Sequence, residues 1–322
     1  MAWVEITADE YARHFANPVA CYLRADFNLL NASKVDAVRF FAYAPEGATS
    51  GYRLGITVGE KGDEWNSPYS APFGGFACAK GVTIDEIDEA IVALPALALK
   101  ARKKLHVTFA PVFYSQTYLT KCVSSMFRAG FALKYADLNY AFDFTDAKPY
   151  EKRLWNMAKR NLKQAAARSF EMREETSPEG ISVCYEVIRK NREHKGYPLK
   201  MSLDAFEKTS SVVPIHYYTL YLEGTPVAAA IVYRVSPEIF QLIYWGDAPG
   251  FEEARPMNVL ASKIFEHFKT LGADFLDIGP SSEDGVPNVG LCAFKESVGC
   301  FADLKYAFVF DGSAGTQAED RV

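Results

Sequence analysis

The chain has 322 residues, 49% hydrophobic and 23% charged, a composition that suits about two folded domains and excludes a fibrous or disordered chain. Forty acidic against 35 basic residues leave a net charge of −5 and a pI near 5.7, so any site for a polyanion has to be local. The longest strongly apolar run, Ile91 to Leu99, is far below the ~20 residues that cross a bilayer, and no basic segment followed by an apolar one opens the chain; a soluble, cytoplasmic protein is expected.

In chain order, the first half predicts a short helix over Ala8–Ala16, strands over Val38–Tyr43 and Tyr52–Val58, and a turn at Pro45–Gly51 between them. The stretch from Trp65 to Phe76 holds Pro68, Pro72 and the pair Gly74-Gly75, which forbid regular helix and place aromatic residues on a loop. Thr83 and Glu86 have capping-box spacing and open a helix to about Lys104, which Pro95 is expected to kink or split. A strand over Lys104–Phe109, a helix over Thr117–Ala129 and a strand over Leu138–Phe144 follow.

A polar joint at Thr145–Pro149 separates this half from one long predicted helix ending near Ser169. Beyond it come a strand over Phe170–Glu175, helices over Pro178–Lys195 and Ser202–Ser211, and a hairpin over Ile215–Val235 turning at Glu223-Gly224-Thr225. A strand (Ile239–Trp245), a helix with proline in its first turn (Pro256–Leu271), a strand (Phe275–Ile278), a short helix (Leu291–Val298) and a last strand (Leu304–Phe310) complete the order. The expected domains are 1–147 and 148–311, with a loose tail over 312–322. Both halves have a mixed α/β order, and that shared order is the one sign of internal duplication.

Two stretches carry candidate chemistry. Lys148–Ser169 has seven basic residues and one acidic, a local charge of +6 that leaves −11 elsewhere. At ~100° per residue, Lys152, Arg153, Lys159, Arg160 and Lys163 lie opposite Leu154, Ala158, Leu162 and Ala165, giving a cationic ridge over a core face. Such a ridge is either a solvated surface or a contact for phosphates. Between Asn288 and Gly299, glycines bracket a helical turn that sets Phe294 beside Lys295.

Leu154–Ala166, the Tyr217–Val232 hairpin, the Phe275-Leu276-Asp277-Ile278-Gly279 strand end and Gly290-Leu291-x-x-Phe294-Lys295-x-x-x-Gly299, in that order, resemble the second domain of the FemAB-like branch of the GNAT acyltransferase superfamily. The first half is similar through Ser67-Pro68-x-x-x-Pro72-Phe73-Gly74-Gly75 and its element order. The resemblance implies two tandem GNAT folds, each a mixed, largely antiparallel sheet flanked by helices, with a cleft between them in which an activated acyl or aminoacyl group passes to an amine. It implies Lys295 near the reacting carbonyl or the donor phosphates, where a cation stabilises an oxyanion, and Phe294 packing donor or acceptor. Arg160 and Lys163 would hold phosphates of a nucleotide-linked substrate. Asp277 would orient the amine or cap a turn, and Tyr218 and Tyr244 would line the cleft or lie in the core.

The GNAT pyrophosphate loop, Arg/Gln-x-x-Gly-x-Gly/Ala, is absent between Trp245 and Pro256, where backbone amides would bind a coenzyme A diphosphate. No helical arm interrupts the second half, which weakens an aminoacyl-tRNA donor. The expected function is therefore N-acyl transfer, with acyl-CoA favoured over aminoacyl-tRNA as donor and no tightly bound cofactor. A double-GNAT scaffold that binds a nucleotide-sugar or a protein without catalysis is the alternative. Under the transferase reading, Lys295→Ala is expected to abolish turnover with little loss of stability. His14, His106, His194, His216 and His267 have no metal-binding spacing, and no metal is expected. The six cysteines have no C-x-x-C spacing, and Cys292 and Cys300 lack a paired histidine, which disfavours a cysteine nucleophile.

Overall fold

A computed structural model describes residues 2–44, 51–197 and 199–312. Of the turn expected at Pro45–Gly51 and the tail at 312–322, all but Gly51 and Gly312 lie outside the described residues. The chain forms two compact units. The first comprises the chain up to Asp137, Asp284–Val286 and the chain from Asp303 onward; the second comprises Leu138–Glu283 and Pro287–Ala302. From Asp303 on, the last strand thus belongs to the first unit, a return of the chain that element order along the sequence does not display.

In the first unit, β1 (Ala2–Ile6), β2 (Ala37–Ala44) and β3 (Leu54–Lys61) pair antiparallel, with Trp3 opposite Tyr43 and Phe40 opposite Thr57. β3 then pairs with both β4 (Glu64–Ser67) and β5 (Phe76–Cys78). β4 runs parallel to β6 (Lys104–Thr108), whose other neighbour is β15 (Phe301–Phe310), antiparallel through Ala307–Phe310. Helices α1 (Ala8–His14), α2 (Ala25–Leu30), α3 (Ile84–Ala101) and α4 (Gln116–Arg128) complete it. Thr83 and Glu86 form the expected capping box, with the Thr83 N–H donating to the Glu86 carboxylate at 2.9 Å. Of the kink or split expected at Pro95, the split is absent. α3 runs on through it because buried Ile91, Leu94 and Ala98 pin both sides of the proline to the core, outweighing one lost backbone hydrogen bond.

The second unit takes the end of β7 (Ala132–Asp143), antiparallel to β12 (Phe275–Pro280), which is parallel to β11 (Ile239–Asp247). From there β10 (Thr225–Arg234), β9 (Ile215–Leu222) and β8 (Phe170–Glu174) continue as an antiparallel meander. The β9–β10 turn is Glu223-Gly224, both at positive φ, which suits a two-residue hairpin. Helices α7 (Pro178–His194) and α8 (Leu203–Ser210) cover one sheet face, burying Ile188 and Phe206. α9 (Pro256–Leu271) covers the other, where Leu260, Ile264, Phe265 and Phe268 meet Tyr218, Leu220, Phe240 and Leu276.

The single long helix expected over Lys148–Ser169 is two helices, α5 (Tyr150–Arg153) and α6 (Asn156–Ala165). Leu154 and Trp155 are extended, at ψ 141 and 157. Burying Leu154 and donating the Trp155 N–H to the Ser297 carbonyl at 3.0 Å satisfies the chain better there than one more helical turn. One helical wheel therefore does not describe the basic residues. Arg153 folds back, donating to the Lys148 and Asp146 carbonyls at 3.0 and 2.7 Å with its guanidinium 5.4 Å over the Phe265 ring. A two-residue β13 (Ser282–Glu283) and β14 (Val286–Pro287) precede α10 (Val289–Ser297), which the Asn288 side chain caps by accepting from the Leu291 N–H at 3.0 Å.

Candidate functional site

The end of β12 and the facing side of α10 bring together the two residues expected to carry chemistry. Asp277 is 0% exposed, and three hydrogen bonds tie its carboxylate into the fold. Its Oδ1 accepts from Asn139 Nδ2 at 2.7 Å and from the Gly279 N–H at 2.8 Å, and its Oδ2 accepts from Gln241 Nε2 at 2.6 Å. Asn139 lies on β7 and Gln241 on β11, the two neighbours of β12, so one carboxylate ties three strands and closes the turn at Gly279, φ +76. The carboxylate is engaged as a turn cap and strand tie.

Lys295 is 2% exposed, and its Nζ donates to the carbonyls of Ile278, Gly279 and Pro280 at 3.0, 2.8 and 3.1 Å. All three ammonium protons are thus engaged. Burial pulls its pKa down to about 8, while the Cys300 and Asp277 groups act in the opposite direction. The ammonium also lies 5.6 Å from the Tyr140 ring centroid, and the Tyr140 hydroxyl donates to Glu296 at 2.8 Å. Lys295 therefore stands inside the corner rather than on an open surface. Directly after Pro280 in the chain, Ser281 Oγ is buried without a hydrogen-bond partner.

Of the other expected residues, Phe294 stands beside Lys295 on α10. Arg160 and Lys163, one turn apart on α6, are exposed, whereas Lys295 is enclosed. Phe294 is half-buried against Trp245, with ring centroids 5.7 Å apart. Tyr218 and Tyr244 lie on opposite faces of the sheet. Tyr218 is buried on the α9 side with its hydroxyl 3.0 Å from His267 Nε2, and burial raises its pKa. Tyr244 packs on the α7 and α8 side against Phe206 and beneath Arg192, 5.7 Å away. Asn139 and Gln241 were not singled out from the sequence. Their signal is an amide within otherwise apolar strand segments, Leu138-Asn139-Tyr140 and Phe240-Gln241-Leu242.

Between β11 and α9 the backbone offers little to a diphosphate. The helix starts at Pro256, which has no N–H, after Arg255 at φ +58. Glu252 occupies the Gly250 N–H at 3.0 Å, and Glu253 adds a second acid. Nearby, a groove of about 260 Å³ between α6 and α9 has Arg168 and Lys263 on its walls. The Cys300 thiol is buried, and burial pushes its pKa up, which disfavours a nucleophilic thiolate. Among the described residues no group of three or more His, Cys, Asp or Glu is placed to hold a metal, and no helix is long and apolar enough to cross a membrane.

No protein-family model matches the chain, and no curated protein matches it in sequence. Solved structures do match in fold. FemX is 12% identical over 97% of this chain and 98% of its own, with a TM-score of 0.65. The lysylphosphatidylglycerol synthetase structure from Bacillus licheniformis is 12% identical over 95% of this chain and 91% of its own, with a TM-score of 0.58. A tandem GNAT protein from the clavulanic acid biosynthesis pathway is 10% identical over 98% of this chain and 99% of its own, with a TM-score of 0.50. The chain has the tandem GNAT fold, and the FemAB-like resemblance holds at the level of that fold.

Proposed function

We propose that this chain is an N-acyltransferase that moves an aminoacyl group, carried as an ester on tRNA, to an amine acceptor. The observation that carries the choice of donor is the junction between β11 and α9, where Pro256, Glu252 and Glu253 replace the free backbone amides that a coenzyme A diphosphate needs. Exposed Arg160 and Lys163 on α6, with Arg168 and Lys263 along the adjacent groove, favour a phosphate backbone instead. The name lysylphosphatidylglycerol synthetase, borne by one structure of the same fold, is consistent with an aminoacyl group as the transferred unit.

In this reading Lys295 is a positioning residue. It holds the turn at the end of β12 through three carbonyls and so anchors the stretch of α10 that carries the adjacent Phe294, so that the aminoacyl ester and the amine meet in a constant geometry. The test is a transfer assay with labelled aminoacyl-tRNAs and, separately, short acyl-coenzyme A donors, over a panel of amine acceptors. Transfer from aminoacyl-tRNA is expected, and Arg160→Ala with Lys163→Ala should raise KM for that donor about tenfold with kcat nearly unchanged. Turnover with acyl-coenzyme A alone, or none with either donor, overturns the reading.

A further inference from the structure

Within the first unit, the Ser67–Gly75 loop, β6, the start of β7 and β15 enclose a cavity of about 270 Å³. Its wall is set by the chain itself. Ser67 Oγ accepts from the Gly75 N–H at 3.1 Å, and the Gly74 N–H donates to the Thr108 carbonyl at 2.8 Å. The loop passes so close to itself that a Cβ on Gly74 would stand 2.5 Å from Ser67 Oγ and 2.6 Å from the Pro68 nitrogen. On the opposite wall Lys305, 8% exposed, donates to the Pro72 carbonyl at 3.3 Å.

The lining is polar and of one sign. Lys134 and Lys305 border the cavity and, among the described residues, no aspartate or glutamate lines it, in a protein of net charge −5. His106 lines it as well, and its Nε2 is buried without a hydrogen-bond partner; Glu64 Oε1, at 3.7 Å, is beyond hydrogen-bond reach but within ion-pair distance of a protonated ring. A buried polar nitrogen without a partner costs stability unless a ligand or water completes it. The Thr108 and Tyr135 side chains add hydroxyl groups to the same cavity.

We propose that this cavity binds a small oxyanion, a phosphate or carboxylate group, with the His106 Nε2–H and a lining hydroxyl donating to its oxygens and Lys134 supplying the charge. The site stands apart from the transfer reading and survives its failure. The test uses the full chain, titrated with inorganic phosphate and, separately, with succinate by calorimetry, while the His106 side-chain nitrogens are followed by NMR. Saturable binding in the range of roughly 0.1 to 5 mM, with a shift of the Nε2 resonance, is expected. Lys134→Met and His106→Gln should each weaken it by about 3- to 10-fold, as for one lost charge-assisted or neutral hydrogen bond. Tighter phosphate binding assigns a phosphorylated ligand, and tighter succinate binding a carboxylate. No binding of either probe by about 20 mM overturns the proposal, as does unchanged binding in the folded Lys134→Met variant with an unmoved Nε2 resonance. The exposed Lys134 keeps the test valid if His106→Gln does not fold.

Discussion

An ammonium group that donates to three backbone carbonyls inside a corner has its charge committed to the fold, and Lys295 is such a group. Truncating it leaves the carbonyls of Ile278, Gly279 and Pro280 without their donor, each a loss of roughly 1 to 3 kcal/mol where the group stays dry. Lys295→Met should therefore destabilise the second unit by about 3 to 5 kcal/mol in urea titration. The expectation of lost turnover at unchanged stability is revised accordingly, since burial of this lysine was not visible in the sequence. The pH dependence has a definite sign. Folding lowers the pKa of Lys295 from 10.5 to about 8, so between those values the unfolded chain holds a proton that the folded chain lacks. The contribution of Lys295 is then smallest below pH 8 and grows as pH rises through that window. The stability gap between wild type and Lys295→Met should widen from pH 8 to pH 10; a narrowing gap would mean that the three carbonyls outweigh burial and raise the pKa.

Individual elements are held by side chains that reach across strands, and Glu60 near the end of β3 is the clearest charged case. Its carboxylate accepts from Arg39 Nε on β2 at 2.5 Å, from Trp65 Nε1 on β4 at 3.0 Å, and from Lys103 Nζ before β6 at 3.1 Å. These bonds, the Arg39 one foremost, hold its pKa down at about 2 against an ordinary 4.5. The stabilisation is complete above pH 4.5 and is lost as pH falls from there towards 2. Glu60→Gln should cost about 1 to 2 kcal/mol at pH 7, allowing for solvent screening, and flatten the acid limb of the melting-temperature profile. A variant whose profile keeps the wild-type acid limb would remove Glu60 from that role. Elements with local punctuation were legible from sequence: the Thr83–Glu86 cap and the Glu223-Gly224 hairpin turn stand where local chemistry puts them. The break at Leu154–Trp155 was not, because it answers to the Ser297 carbonyl, more than 100 residues away along the chain.

For the molecule as a whole, the first unit is closed by the end of the chain. Ala307–Phe310 of β15 pair with β6, and the Phe308 ring meets Phe109 at 6.1 Å and Phe127 at 5.1 Å. Truncation after Ala302 should expose β6 and abolish slow amide exchange in β2, β3 and β6, while β9 and β10, whose unit keeps all its segments, stay protected. Loss of protection in both units, or in neither, would contradict this division. The mixed α/β order, most helix and strand positions and the tandem GNAT resemblance can be read along the chain, because periodicity, caps and turn residues act over a few positions. Only the tertiary structure decided that Asp277 ties β7 and β11, that Tyr218 and Tyr244 face opposite sides of one sheet, and that Lys295 is enclosed while Arg160 and Lys163 are not. Each of these depends on which strand lies beside which and on what a helix covers. Such contacts between residues distant along the chain leave no spacing in it to read.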